Sequence, residues 1–160
     1  MKRRAQIYAE AVNVGLKDIP REKVRFHTCY GINAGPRLYE ASLAQIIEYV
    51  LSIKAGSYSF EGANPRHAHE WRVFEKVKLP PGKLIIPGVI DSTTNFVEHP
   101  ELVAERIVNY ARLVGRENVI AGTDCGFATA AEGSPVFPSI AWAKLAALAE
   151  GARIATTRLW

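Results

Sequence analysis

The sequence predicts an α/β fold: one leading helix, then four consecutive β/α units whose strands run parallel. Three observations predict it. Short apolar runs alternate with helically periodic segments at a spacing of about thirty residues. Such alternation builds a parallel sheet with right-handed crossovers. The run Lys83-Leu84-Ile85-Ile86-Pro87-Gly88-Val89-Ile90-Asp91 is almost continuously apolar, as in a strand covered on both faces. Finally, the residues with the most reactive side chains fall at the carboxyl ends of the strands.

The elements follow in order. From Ala5 to about Gly15, Ile7, Ala11 and Val14 lie at helical spacing, with Tyr8 and Val12 beside them and Gly15 as a stop. Pro20 and Arg21-Glu22-Lys23 form a loop into the first strand, within Val24-Arg25-Phe26-His27-Thr28-Cys29-Tyr30-Gly31. After a loop with Asn33, Gly35 and Pro36, the residues Leu43, Ile46, Ile47, Val50 and Leu51 predict an amphipathic helix ended by Ala55-Gly56. The second strand runs from Ser57 to Glu61. Asn64-Pro65 breaks the chain, and a helix is expected through Trp71, Val73, Phe74 and Val77 before the turn Pro80-Pro81-Gly82.

Pro87 places the end of the third strand, or a bulge, close to itself. His99-Pro100 opens the next helix, with Val103, Ile107, Tyr110 and Val114 on its buried face and Gly115 at its close. Val119 to Thr123 is the fourth strand. A Gly/Pro loop from Gly126 to Pro138 leads to a last helix holding Ile140, Leu145 and Leu148, with room to run past Gly151.

Two architectures fit this order: an open doubly wound sheet and part of a (β/α)8 barrel. Side chains from three strands converge more easily on a curved wall, which favours the barrel. A whole barrel needs about 200–250 residues, and the 160 residues here form one domain with four units. Such a half leaves two open strand edges and an uncovered inner face. A second copy or a missing portion of the protein is expected to complete it.

Composition narrows the function. Hydrophobic residues make up 48% and charged residues 22%, with a net charge of +4, an ordinary globular balance. The cations are dispersed, with no aromatic-basic run to suggest nucleic acid. No run is long enough to span a membrane. Met1-Lys2-Arg3-Arg4 resembles the start of a signal peptide, yet no apolar core follows it. Two cysteines suit a cytoplasmic protein in which they serve as ligands or buried thiols; a Cys29–Cys125 disulfide is the alternative.

His27 and Cys29 are two apart and face the same side of a strand. An imidazole and a thiolate so placed suit zinc, although each also suits a core. Cys125 ends the fourth strand in Gly122-Thr123-Asp124-Cys125-Gly126, and Glu61 ends the second. Asp91 and Asp124 also close strands, where they can orient a substrate or a ligand, or simply bond to a loop. His67 and His69 form a His-x-His pair, read as residues at a helix start near Trp71 rather than as ligands. Trp142 and Trp160 read as packing or interface residues, and Phe127 as pocket wall or core.

His27-Thr28-Cys29-Tyr30, Glu61 and Asp124-Cys125-Gly126 together resemble the zinc site of cobalamin-independent methionine synthases. The likeness is to the second half of their C-terminal catalytic TIM barrel, from about Tyr8 onward, and is greatest to the shorter methionine synthase II-like proteins. Ala63-Asn64-Pro65-Arg66-His67-Ala68-His69-Glu70-Trp71 is similar to that subgroup, which is related to epoxyalkane:coenzyme M transferase. The resemblance implies His27, Cys29, Glu61 and Cys125 as zinc ligands; Asp91 and Asp124, by their places at strand ends, are expected as catalytic-pocket residues. It implies methyl transfer from a methyltetrahydrofolate-type donor to a homocysteine-like thiol, as in methionine biosynthesis. Where the family carries a histidine after its third-strand Val-Tyr-Asp, this sequence has Thr93, which keeps an epoxide:coenzyme M alkyl transfer open. The acidic residues that hold the homocysteine amine in the family lie upstream of residue 1. A half-barrel that binds metal and self-associates without turnover is therefore a third reading.

Overall fold

The computed structural model describes residues 2–31, 36–128 and 133–160. Four parallel strands form one sheet in the order β1-β2-β3-β4, with helices between them. The strands are β1 (Arg25–Thr28), β2 (Ser57–Phe60), β3 (Leu84–Ile90) and β4 (Gly122–Thr123). The helices are α1 (Lys2–Gly15), α2 (Leu43–Ser52), α3 (Pro100–Val114) and α4 (Pro138–Leu159). Spatial order equals chain order, so each crossover moves one strand along the sheet in the same direction, as in a barrel wall. Among the described residues, β1 and β4 each have a strand partner on one side only.

Register follows from side-chain alternation. His27 pairs with Ser59, and Phe26 with Tyr58, which in turn pairs with Ile85. Tyr58, Phe60 and Ile85 are fully buried beneath the helices, so His27 and Ser59 point to the other face. Under the helices, Phe60 packs on Phe74 and Tyr110 with ring centroids about 6 Å apart. Tyr58, with Val50, Ile53 and Ala9, fills the space below α1 and α2, while Val89, Val103, Ile107 and Ala155 join β3 to α3 and α4. Gly151 is required in α4: a Cβ there would strike Val103.

The helix ends match their chemistry. His99 Nδ1 accepts the N–H of Glu101 at 3.1 Å, Pro100 starts α3, and Gly115 closes it at φ 93°. The N-terminus of α2 is held twice. The Ser42 N–H donates to Gln45 Oε1, and the Leu43 N–H donates to buried Glu70 Oε1 at 2.7 Å.

Two elements differ from their sequence expectation. The segment around Trp71 is a 3₁₀ helix, Glu70–Glu75, rather than an α-helix. Its course is pinned at both ends, by Glu70 on α2 and by Phe74 between Phe60 and Tyr110, and tighter turns meet both constraints. The fourth strand is shorter than Val119–Thr123. Val119 makes an isolated bridge to Ile85, and the ladder resumes at Gly122 opposite Gly88, where the register shifts before Ile90. Pro87 falls at the last pair of the β2–β3 ladder, just before that irregularity, a position that tolerates its missing N–H. The last helix does run past Gly151, to Leu159.

Candidate metal centre

The carboxyl ends of β1, β2 and β4 meet. Cys29 lies just beyond β1, Glu61 just beyond β2, and Cys125 just beyond β4. Cys125 Sγ is the hub: 3.2 Å from Cys29 Sγ, 3.3 Å from His27 Nε2 and 3.7 Å from Glu61 Oε1. Donor atoms of His27, Cys29 and Cys125 all lie within 4.8 Å of one another. Both cysteines are free thiols, so the disulfide alternative is not what is found.

The set is suited to zinc. Bonds of about 2.0–2.3 Å arranged tetrahedrally put neighbouring N, O and S ligands about 3.3–3.8 Å apart, and the separations of 3.2, 3.3 and 3.7 Å lie within or just below that range. His27 Nδ1 lies 3.0 Å from Ser59 Oγ, its partner in the ladder. This contact fixes the ring and leaves Nε2 aimed at Cys125. Burial lowers the His27 pKa more than Glu61 raises it, which favours the neutral imidazole that binds metals. Burial, the adjacent Cys29 and the carboxylates of Glu61 and Asp124 push the Cys125 thiol far up. Such a crowd of latent anions needs a cation among them before it can ionise.

Glu61 is only 1% exposed, and it spends both oxygens. Oε1 accepts the Tyr30 N–H at 2.8 Å; Oε2 accepts from Arg37 at 2.8 Å and from Asn64 Nδ2 at 2.9 Å. Arg37 Nε also donates to Glu40 Oε1 at 2.6 Å. Glu40 in turn faces His67 Nε2 at 3.1 Å, and His67 Nδ1 lies 2.8 Å from Glu70 Oε2. The His67 ring is buried and stacks on Tyr30, centroids 4.2 Å apart. His67 is thus a wedged, doubly paired imidazole just before the 3₁₀ helix, whereas His69 is exposed beside it.

Burial lowers the His67 pKa, but Glu70 and Glu40 raise it further, and the balance lies above the ordinary value. A raised folded-state pKa stabilises the protonated native chain. That contribution is complete below the unfolded value of about 6.5 and is lost as pH rises through the folded value. Unfolding free energy from urea titrations should therefore decline from pH 6 upward through that window. A His67→Gln chain should lack this part of the slope; identical slopes would remove His67 as its source.

The two aspartates are placed differently. Asp124 is buried, and its carboxylate takes four donors: Gly62 N and Ala63 N on Oδ1 at 2.7 and 2.8 Å, and Asn64 N and Nδ2 on Oδ2 at 2.9 and 3.0 Å. Asp91, also buried, accepts from Thr93 N and Oγ1 at 3.1 and 2.9 Å. Its own N–H donates to Glu98 Oε1, while Glu98 Oε2 accepts from fully buried Lys144. Trp142 and Trp160 are exposed, with the Arg116 guanidinium over the Trp160 ring, and Phe127 packs at the edge of the β3–α3–α4 core.

A cavity of about 440 Å³ adjoins His27 and Cys29 between α1, β1 and α2, walled by Tyr8, Phe26, Ile46 and Tyr49. No described helix is long and apolar enough to cross a membrane.

Sequence reasoning did not find Ser59, Arg37, Glu40 or Asn64 as site residues. Only Ser59 carried a readable signal, its place opposite His27 on a neighbouring strand.

Comparison with known proteins agrees with this fold. The family model described as cobalamin-independent synthase, catalytic domain, matches residues 18–148. Among solved structures, a B12-independent methionine synthase from a Shewanella species, in complex with selenomethionine, aligns with a TM-score of 0.69 at 20% identity. The alignment covers 97% of this chain and 47% of that one, so this chain spans about half the length of that protein; at this identity the likeness bears on fold alone. The comparison with curated proteins gave no match. With the family model running across all four strands, the chain belongs to the cobalamin-independent synthase catalytic-domain family.

Proposed function

We propose that this chain is the metal-binding part of a zinc-dependent thiol methyltransferase. In this reading it moves a methyl group from a methyltetrahydrofolate-type donor to a homocysteine-like thiol, as in methionine biosynthesis. The observation that carries the reading is the meeting of two sulfurs 96 residues apart at 3.2 Å, with an imidazole nitrogen 3.3 Å from one of them. His27, Cys29 and Cys125 hold the ion, and Glu61 supplies the fourth donor. A bound zinc ion makes a thiol, about 8.5 in ordinary pKa, a thiolate at neutral pH.

The protein's own groups do the positioning. Ser59 orients His27, the Tyr30 N–H and Asn64 orient Glu61, and Asp124 holds the turn that carries Asn64. Asp91, at the end of β3, is assigned to the substrate pocket. The matched length and the single-sided pairing of β1 and β4 support completion by a second half-barrel, from another copy or from an N-terminal portion. Two free cysteines suit the reducing cytoplasm.

A second reading has one observation in its favour. By the resemblance Thr93 takes the place of the family's histidine, and its N–H and hydroxyl both donate to Asp91 Oδ1. It offers no imidazole to protonate a leaving folate, which suits an epoxide donor and coenzyme M as the thiol. The zinc-loaded chain should be assayed with homocysteine and labelled methyltetrahydropteroylglutamate, and in parallel with coenzyme M and an epoxyalkane. Label appearing on homocysteine is the expected result; epoxide consumption alone would select the second reading. Turnover with neither pair overturns the enzyme assignment for this chain by itself and leaves a metal-binding, self-associating half-barrel.

A further inference from the structure

We propose that Arg37 is a latch on Glu61: it holds the outer oxygen of that carboxylate and thereby sets how easily the inner oxygen gives way to an incoming thiol. The inference rests on the reading of Glu61 as the fourth, yielding metal donor.

The geometry is directional. Glu61 Oε1 is the oxygen nearer the sulfurs, 3.7 Å from Cys125 Sγ. Oε2 is the one Arg37 grips at 2.8 Å. Arg37 is not a loose surface charge. Its side chain is 17% exposed, and its Nε is anchored to Glu40 at 2.6 Å. Glu40 is itself held by His67, and His67 by Glu70, which is fixed to the start of α2. The guanidinium is thus braced through three side chains, Glu40, His67 and Glu70, to a helix end.

Charge supplies the reason. Two thiolates and a carboxylate around a dication leave about −1, and a third sulfur anion would make it more negative unless the carboxylate leaves. A buried carboxylate that leaves needs a cation to receive it, and Arg37 is already in contact. When a thiol enters, its proton goes to solvent and Glu61 keeps its full charge against the guanidinium. Such charge-assisted bonds are the strong ones. Without Arg37, Glu61 has no other cation in contact among the described residues and clings to the metal.

This predicts opposite shifts in two measurable affinities. Cobalt(II) is the probe metal, since its visible spectrum reports its ligands, and L-homocysteine is the probe thiol. Arg37→Gln should bind cobalt as tightly as the unaltered chain or more tightly, measured by chelator competition. The thiol concentration at the midpoint of its spectral change should rise about tenfold. Arg37→Lys, which keeps the charge but not the fork, should fall between. Glu40→Gln, which frees Arg37 from its anchor, should shift the thiol midpoint in the same direction by less.

A merely structural role would instead weaken cobalt binding and leave the thiol midpoint unchanged; that result overturns the latch. So do equal midpoints, or a spectrum in the unaltered chain that does not respond to thiol. Failure of the underlying reading looks different: Glu61→Gln would then leave both the cobalt spectrum and the cobalt affinity as they were.

Discussion

Replacing Cys125 by serine should strip the chain of its metal. Cys125 lies within 4 Å of each of the other three donors, and it is buried where Cys29 and His27 are more open. Serine keeps the volume but offers an alcohol that does not ionise near neutral pH, so a sulfur anion is lost from the centre of the set. Loss of outer partners of a metal ligand costs about 10–100-fold in affinity, and loss of a ligand should exceed the upper end of that range. After dialysis against a chelator that leaves the unaltered chain with one zinc, the variant should retain close to none. Its far-ultraviolet circular dichroism should be unchanged, since the strands and helices do not depend on that sulfur. Equal zinc in both proteins would break the assignment of the centre.

Asp124→Ala should produce a large loss of stability, about 3–5 kcal/mol, from buried donors left without an acceptor. Three consecutive backbone N–H groups, at Gly62, Ala63 and Asn64, end on this one carboxylate, together with the Asn64 amide. Each buried donor left without an acceptor costs about 1–3 kcal/mol, and water entering the gap recovers part of the sum. β3 packs directly against this carboxylate. A Cβ on Gly88 would collide with Asp124 itself, at both its side chain and its Cα. The damage should reach the metal as well, since Asn64 Nδ2 bridges Asp124 and Glu61. Chemical denaturation of the metal-free protein measures the first effect. A loss below about 1 kcal/mol would mean that the 62–64 turn holds itself.

The alternation of strands and helices was legible because the periodicities of two and 3.6 differ so plainly along this chain. His27, Cys29 and Cys125 were legible for a different reason: few residue types bind metals through nitrogen or sulfur, and there are only two cysteines to place. The 3₁₀ helix at Glu70–Glu75 was not, since Trp71, Val73, Phe74 and Val77 fit a helix on paper. Its path is decided by where Phe60, Tyr110 and the start of α2 happen to be. Arg37 and Glu40 were invisible for a similar reason. Charged residues in a loop after Pro36 look like solvent-facing ones until the fold sets Glu61 and His67 against them. Asp124 stood out in the sequence as a strand-end carboxylate. That its carboxylate takes four hydrogen bonds from a turn about 60 residues earlier depends on a contact between segments that local pattern cannot carry.

The separation of the two sulfurs along the chain bears on when the centre comes into being. During synthesis Cys29 emerges well before Cys125, and of the candidate set only His27 precedes it. Cys125 reaches them only once β3 has paired with β2 and β4 has docked on β3, closing a loop of 96 residues. The entropy of that closure is met by sheet and helix packing, not by the ion. On the proposed reading, metal acquisition would therefore come late in biogenesis, as a seal on a structure already built, and a chain stalled short of residue 125 would lack one of the two sulfurs.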